Sequence, residues 1–248
     1  MKFQRNVVVI TGAARGIGAA CVRAAAARGC AVVFNYAARD DAASALASEI
    51  EASGGTAVPH KMDLGDPGTP ARLFEAADRV GRVVGLVNNA GVDGGAADFA
   101  TLPLPDIEKI FRVNVLSAMD AAQHAIRRMA RSAGGSGGAI VNVSSQAAVF
   151  GGNRLTAYAA SKAALNTFTI GLARELAGDG VRVNAVSPGV VETDMHAGLA
   201  PERRAQLAAN LPLGRPGRPE EVARSVEWLL FDAPDYVSGA ILPIAGAR

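Results

Sequence analysis

"NVVVITGAARGIG", Asn6 to Gly18, joins a β-branched run to three glycines and then to the alanine-rich "GIGAACVRAAAARG". β-Branched residues favour the extended backbone and alanine the helix, so the stretch predicts a strand, a tight turn and a helix in succession. Glycine at positions 12, 16 and 18 permits the turn and lets backbone N–H groups approach a pyrophosphate at the helix N-terminus, where the dipole favours negative charge. The spacing G-xxx-G-x-G differs from the commoner G-x-G-x-x-G, and taken alone the turn also reads as an ordinary strand-to-helix connection.

The same alternation runs through the rest of the chain. Further strands are predicted at "CAVVFNY" from Cys30, "TAVPHKMD" from Thr56, "VVGLVNN" from Val83, "GAIVNVSS" from Gly138, "VRVNAVS" from Val181 and "GAILPIA" from Gly239. Their apolar runs are nearly continuous, as in strands covered on both faces. Between them lie helical stretches, one closing on Gly29 and one, "DDAASALASEIEASGG", opening on acids and closing on glycine. Right-handed crossovers then give an α/β fold of Rossmann type: a doubly wound, mostly parallel seven-stranded sheet with helices on both faces and a ligand crevice at the carboxyl ends of the strands. No repeat and no linker-like composition break divides residues 1–248, so one domain is expected.

Composition excludes several classes. Half the 248 residues are hydrophobic, the net charge is +2, and the basic residues are scattered, which argues against nucleic acid as a partner. Cys21 and Cys30 fit neither a CxxC motif nor a disulfide framework and read as free thiols suited to a reducing cytoplasm. No secretory leader and no membrane-length apolar run is visible, so a cytoplasmic location is expected. His60, His124 and His196 show no ligand spacing, and no metal is expected. "GGSGG", Gly134 to Gly138, has the GxSxG form of a hydrolase elbow, but it precedes a strand instead of following one and reads as a connector.

"YAASK", Tyr158 to Lys162, sets one of only three tyrosines four residues before a lysine, in a chain whose basic residues are mostly arginine. On a helix the two share a face. An ammonium beside a phenol would stabilise the phenolate and bring its pKa of about 10 down, making Tyr158 a usable general acid/base. The alternative is a plain surface pair.

"TGAARGIG", "NNAG" (Asn88–Gly91), "YAASK" and "SPG" (Ser187–Gly189) occur in the order seen in the short-chain dehydrogenase/reductase superfamily, which the whole chain resembles. The resemblance implies an oxidoreductase in which hydride passes between a nicotinamide and a ketone or secondary alcohol while Tyr158 moves the proton. It implies further that Lys162 also holds the nicotinamide ribose, that the catalytic serine is Ser145, thirteen positions before Tyr158, and that Asn114 interrupts a helix and holds a water beside the lysine. The cofactor-binding set it implies is Gly12, Arg15, Gly16, Ile17 and Gly18; Asn35, Tyr36 and Arg39; Asp63 and Leu64 flanking adenine; Asn89, Ala90 and Gly91; and Tyr158, Lys162, Pro188, Gly189, Val191 and Thr193. Where NAD-preferring relatives carry an acid at the end of the second strand, this chain has Ala37, and Arg15 and Arg39 are expected to clamp a 2′-phosphate. NADP(H) is therefore favoured. NAD(H) stays possible through Asp40 or Asp41, which read otherwise as a helix start.

Two subgroups are resembled, 3-oxoacyl-[acyl-carrier-protein] reductases and sugar or polyol dehydrogenases. Arg127, Arg128 and Arg131 would serve an acidic carrier protein if they lie near the active-site mouth, and Asp179 argues against one. The family also implies a homotetramer and a helical lid over the substrate at 193–219, with Met195 and Leu199 as pocket or helix-face residues. A non-catalytic dinucleotide sensor on the same fold is the rival of another class.

Overall fold

The chain was analysed as a computed structural model, which describes residues 5–193 and 211–247. Seven strands form one sheet: β1 (Asn6–Ile10), β2 (Ala31–Tyr36), β3 (Thr56–Lys61), β4 (Arg82–Asn88), β5 (Gly138–Val143), β6 (Val181–Pro188) and β7 (Ile241–Ile244). Their order is β3-β2-β1-β4-β5-β6-β7 and every pairing is parallel, so the sheet is wholly and not just mostly parallel. The helices between them are α1 (Gly16–Ala27), α2 (Asp40–Ala52), α3 (Thr69–Val80), α4 (Leu104–Phe111), α5 (Ser117–Met129), α6 (Ala147–Phe150), α7 (Thr156–Glu175) and α8 (Pro219–Glu227).

Side chains alternate across the sheet. Val8, Ile10, Val32 and Phe34 pack with α1, α2 and α8 in one layer, while Val7, Val9, Val33, Leu86 and Ile140 pack with α3, α5 and α7 in the other. Continuous apolar strands are thus the signature of two cores, and alanines such as Ala121, Ala122 and Ala125 let the covering helices approach closely. Strand ends differ slightly from the sequence reading. β7 starts at Ile241 because Gly239, at φ 82°, turns the chain first, its N–H donating to Val183 O (2.7 Å). The edge strands β3 and β7 carry Pro59 and Pro243 within their length, whereas the inner strand β6 admits Pro188 only as its last residue.

The order reverses between β1 and β4, whose crossovers leave to opposite sides, and a crevice must open at their carboxyl ends. A polar line crosses the core beneath it. Asn88 Nδ2 donates to Asn142 Oδ1 (2.9 Å) and Asn142 Nδ2 to Thr169 Oγ1 (2.8 Å), all three residues being buried. This line locks β4, β5 and α7 in register. Asn142→Ala should cost about 2–4 kcal/mol in urea unfolding, because two buried polar groups lose their partner; a loss under 1 kcal/mol would show that the line is dispensable.

Candidate active site

The glycine turn after β1 is clasped to the turn after β4. Thr11 Oγ1 accepts the N–H groups of Asn89 (3.0 Å) and Ala90 (3.1 Å), and Asn89 Nδ2 donates to the carbonyls of Thr11 (2.9 Å) and Gly12 (2.8 Å). Such closeness leaves no room for side chains: a Cβ at Gly12, φ 63°, would lie 2.7 Å from Ala90 Cα, and one at Gly18 would lie 2.6 Å from Asn89 Nδ2. Arg15, at the N-cap of α1, makes no side-chain capping bond, and the first turn of the helix holds no acid. Among the described residues the leading N–H groups of α1 therefore face the cleft without a side-chain acceptor, in the arrangement that a pyrophosphate fits.

At the end of β2 the cleft is bordered by Tyr36, Ala37, Ala38 and Arg39, with Arg15 opposite. Asn35 is buried and lines the cleft, its side chain accepting from Gly12 N (3.0 Å) and donating to Met62 O (3.0 Å). Asp40 is held by Lys61 (2.7 Å) and by the Tyr36 hydroxyl, and Asp41 accepts from Arg39 (3.2 and 3.3 Å). Both carboxyls sit below their usual range because of these donors, and neither borders the cleft.

The other end of the cleft lies where β5 stops. Ser144 turns inward and donates to Lys162 O (3.3 Å), while the Ser145 hydroxyl meets the phenol of Tyr158 and accepts the N–H of Ala147 (3.1 Å). Gln146 anchors this turn to β6 through Ser187 O (3.1 Å) and Ser187 Oγ (2.9 Å). Tyr158 and Lys162 project from one face of α7. Lys162 is 3% exposed, its ammonium donates to Val143 O (2.8 Å), and it lies 5.8 Å from the centroid of the Tyr158 ring. Burial pulls the Lys162 pKa down to about 8. Burial likewise pushes the Tyr158 phenol above its ordinary value; the Ser145 hydrogen bond opposes this and the charge of Asp93 adds to it.

Residues 12–246 match the model of a family described as enoyl-(acyl carrier protein) reductase. A cis-4-hydroxycyclohexanecarboxylate dehydrogenase of Sinomonas cyclohexanicum is 40% identical over 98% of this chain and 96% of that protein. A short-chain dehydrogenase/reductase from Serratia marcescens superposes with a TM-score of 0.89 at 36% identity, covering 100% of this chain and 99% of the other. The chain is a short-chain dehydrogenase/reductase. A 3-oxoacyl (acyl-carrier-protein) reductase from Agrobacterium tumefaciens, solved with NADP bound, has a TM-score of 0.91 at 32% identity, covering 99% and 95% of the two chains.

In this short-chain dehydrogenase/reductase, one cleft of about 660 Å³ gathers the glycine turn, the β2 rim, Asp63 and Leu64, Asn89 to Gly91, Ser145, Tyr158, Lys162, Pro188, Gly189, Val191 and Thr193. Asn114 stands behind it. A π turn, Arg112–Leu116, separates α4 from α5, and Asn114 lies at its centre, where its side chain accepts from Val92 N (2.8 Å) and donates to Val92 O (2.9 Å) and Ser161 Oγ (2.9 Å). It ties the 91–92 segment to α7. Sequence reasoning missed Thr11, whose hydroxyl follows the strand in "TGAARGIG", Gln146, and Asp93, the acid placed two residues after "NNAG".

Two expectations are corrected. Lys162 was expected to acidify Tyr158, but the phenol lies above its ordinary value with burial the largest cause, while the Lys162 ammonium donates to Val143 O beside the ring. Arg127 and Arg128 lie in the last turn of α5 and Arg131 just after it, next to the start of β5, whereas Ser144 and Ser145 follow the end of β5. A six-residue strand, about 20 Å, thus separates them from the cleft. Arg128 is there paired with Asp78 (2.6 and 2.7 Å) over the Phe74 ring, and Asp179 accepts the Ser132 N–H (2.9 Å). The expected lid with Met195, His196 and Leu199 lies mostly outside the described residues.

A buried lysine with a lowered pKa costs stability wherever the unfolded chain binds the extra proton. Stability should therefore rise between pH 8 and the unfolded lysine value near 10.5. At pH 7 and without ligands, Lys162→Met should unfold at a higher temperature than wild type, by about 1–2 kcal/mol net of the lost bond to Val143 O; calorimetry showing a lower Tm would contradict the charge penalty.

Proposed function

We propose that the chain interconverts a ketone and a secondary alcohol with NADP(H), using Tyr158 as the general acid/base. The observation that carries this reading is the contact of Tyr158 with Ser145 at one end of a cleft whose other end is the uncapped glycine turn. When bound, a nicotinamide supplies or accepts the hydride. The chain does the rest. Ser145 and Tyr158 both direct hydroxyls at a substrate oxygen, Ser145 stabilising charge there and Tyr158 giving or taking the proton. Lys162, charged below a pH of about 8, keeps a cation under the tyrosine and within reach of a ribose hydroxyl. Asn114 holds the wall that carries Gly91 against this lysine, where a Cβ would meet Nζ at 3.2 Å.

NADP(H) is favoured because Ala37 leaves the β2 rim without a carboxylate, Arg15 and Arg39 stand there, and Asp40 and Asp41 are engaged by other donors. The NADP bound in the Agrobacterium reductase supports the same choice. Of the two subgroups, the carrier-protein reading loses its support from Arg127, Arg128 and Arg131, and reduction or oxidation of small carbonyls, sugars or polyols is the better fit. The same proposal includes a homotetramer, supported by exposed Leu116 between α4 and α5 and exposed Ile170 on α7, and a cytoplasmic location, supported by two free cysteines.

Tyr158→Phe should lower kcat by about 10²–10⁴ with NADPH affinity within a few-fold of wild type; retained turnover on every accepted ketone would rule out the mechanism. Because the phenol sits above its ordinary value, alcohol oxidation, which needs the phenolate, should accelerate with rising pH while ketone reduction does not. Ala37→Asp should move the ratio of kcat/KM for NADPH over NADH at least about tenfold towards NADH, and an unmoved ratio would place coenzyme choice elsewhere.

A further inference from the structure

One charged side chain at the substrate end of the cleft has no part in the reading above. Asp93 borders the cleft together with Ser145 and Tyr158. Its Oδ1 is fixed by the N–H of Gly95 (3.0 Å) across Gly94, φ 75°, while its other oxygen has no hydrogen-bond partner among the described residues. Two neighbouring cations are engaged elsewhere. Arg154, whose carbonyl accepts Ala97 N–H (3.0 Å), pairs with Asp98 (3.2 Å). Lys162 is buried with its ammonium on Val143 O. Lys109 also borders the cleft, one turn before Val113, which approaches Gly65 beside Asp63, and its neighbour Ile110 packs on Gly94. Asp93 is the charge, among the described residues, that acts on Tyr158.

We propose that Asp93 sets the substrate class: it favours uncharged carbonyl compounds and alcohols that offer an O–H or N–H to its carboxylate, and it excludes carboxylates of the same shape. The inference rests on the ketone–alcohol reading. An incoming anion would meet a like charge in a half-buried setting, enough for roughly tenfold discrimination. A hydroxyl or amide would instead gain a charge-assisted hydrogen bond. This is a specificity role, since the proton and the oxyanion remain with Tyr158 and Ser145.

Acetoacetamide and acetoacetate share a skeleton and differ by one charge. With NADPH at pH 7, wild type should prefer the amide in kcat/KM by about tenfold or more. Asp93→Asn keeps the oxygen that receives the Gly95 N–H and should narrow the preference to about threefold or less, with Asp93→Glu retaining it and added salt weakening it in wild type only. Calorimetric titration of both compounds into the NADPH complex of Tyr158→Phe, with and without Asp93→Asn, should give the same ratios without turnover. Should Asp93→Asn lose NADPH binding through misfolding, Asp93→Ser, which also caps Gly95, takes its place. An unchanged ratio in the neutral variant, equal use of both compounds by wild type, or failure of wild type to bind the amide each overturns the role of Asp93. Turnover surviving in Tyr158→Phe would instead overturn the ketone–alcohol mechanism, and the titration ratios would still decide on Asp93.

Discussion

Thr11, Asn89 and the absent side chains of Gly12 and Gly18 form the constraint on which the cleft depends. Strand order alone opens a crevice between β1 and β4, but an open crevice between two loops has no fixed shape. Four hydrogen bonds between the two turns fix it, and they require backbones closer than any Cβ allows. The same closeness aims the start of α1 into the cleft. A row of N–H donors and a rigid wall are therefore one feature, and a substitution at either glycine damages both at once.

Burial of the Lys162 ammonium is the second constraint, and it works against stability. The ammonium sits beside the Tyr158 ring, with Val143 O as its fixed acceptor. Such a site is strained in the electrostatic sense and is supported from behind by Asn114 and Ser161, which join the Val92 segment to α7. The π turn that holds Asn114 gives the chain local freedom to present that side chain while α4 and α5 continue as one rod.

Most of the fold was legible in the sequence because its signals are local. Short runs rich in β-branched and other apolar residues marked the strands, glycines marked the turns, and alternation of strand and helix implied the parallel sheet. The Tyr158–Lys162 face was equally legible, since four residues on a helix always share a side. What the sequence did not display were the facts that depend on packing: that Asn35 would spend its amide on Gly12 and Met62, that Lys162 would donate to a carbonyl, and that α5 would carry its arginines away from the cleft. Residue type gives a group's capacity to bond, and only tertiary neighbours decide how that capacity is used.

Pro59 and Pro243 carry a consequence for the molecule's behaviour in crowded solution. An outermost strand normally offers a row of donors that can template a foreign strand, the first step towards fibrillar deposits. Here both margins lack one such donor near their middle. Each margin is thereby a poorer template for an added strand, which works against open-ended stacking.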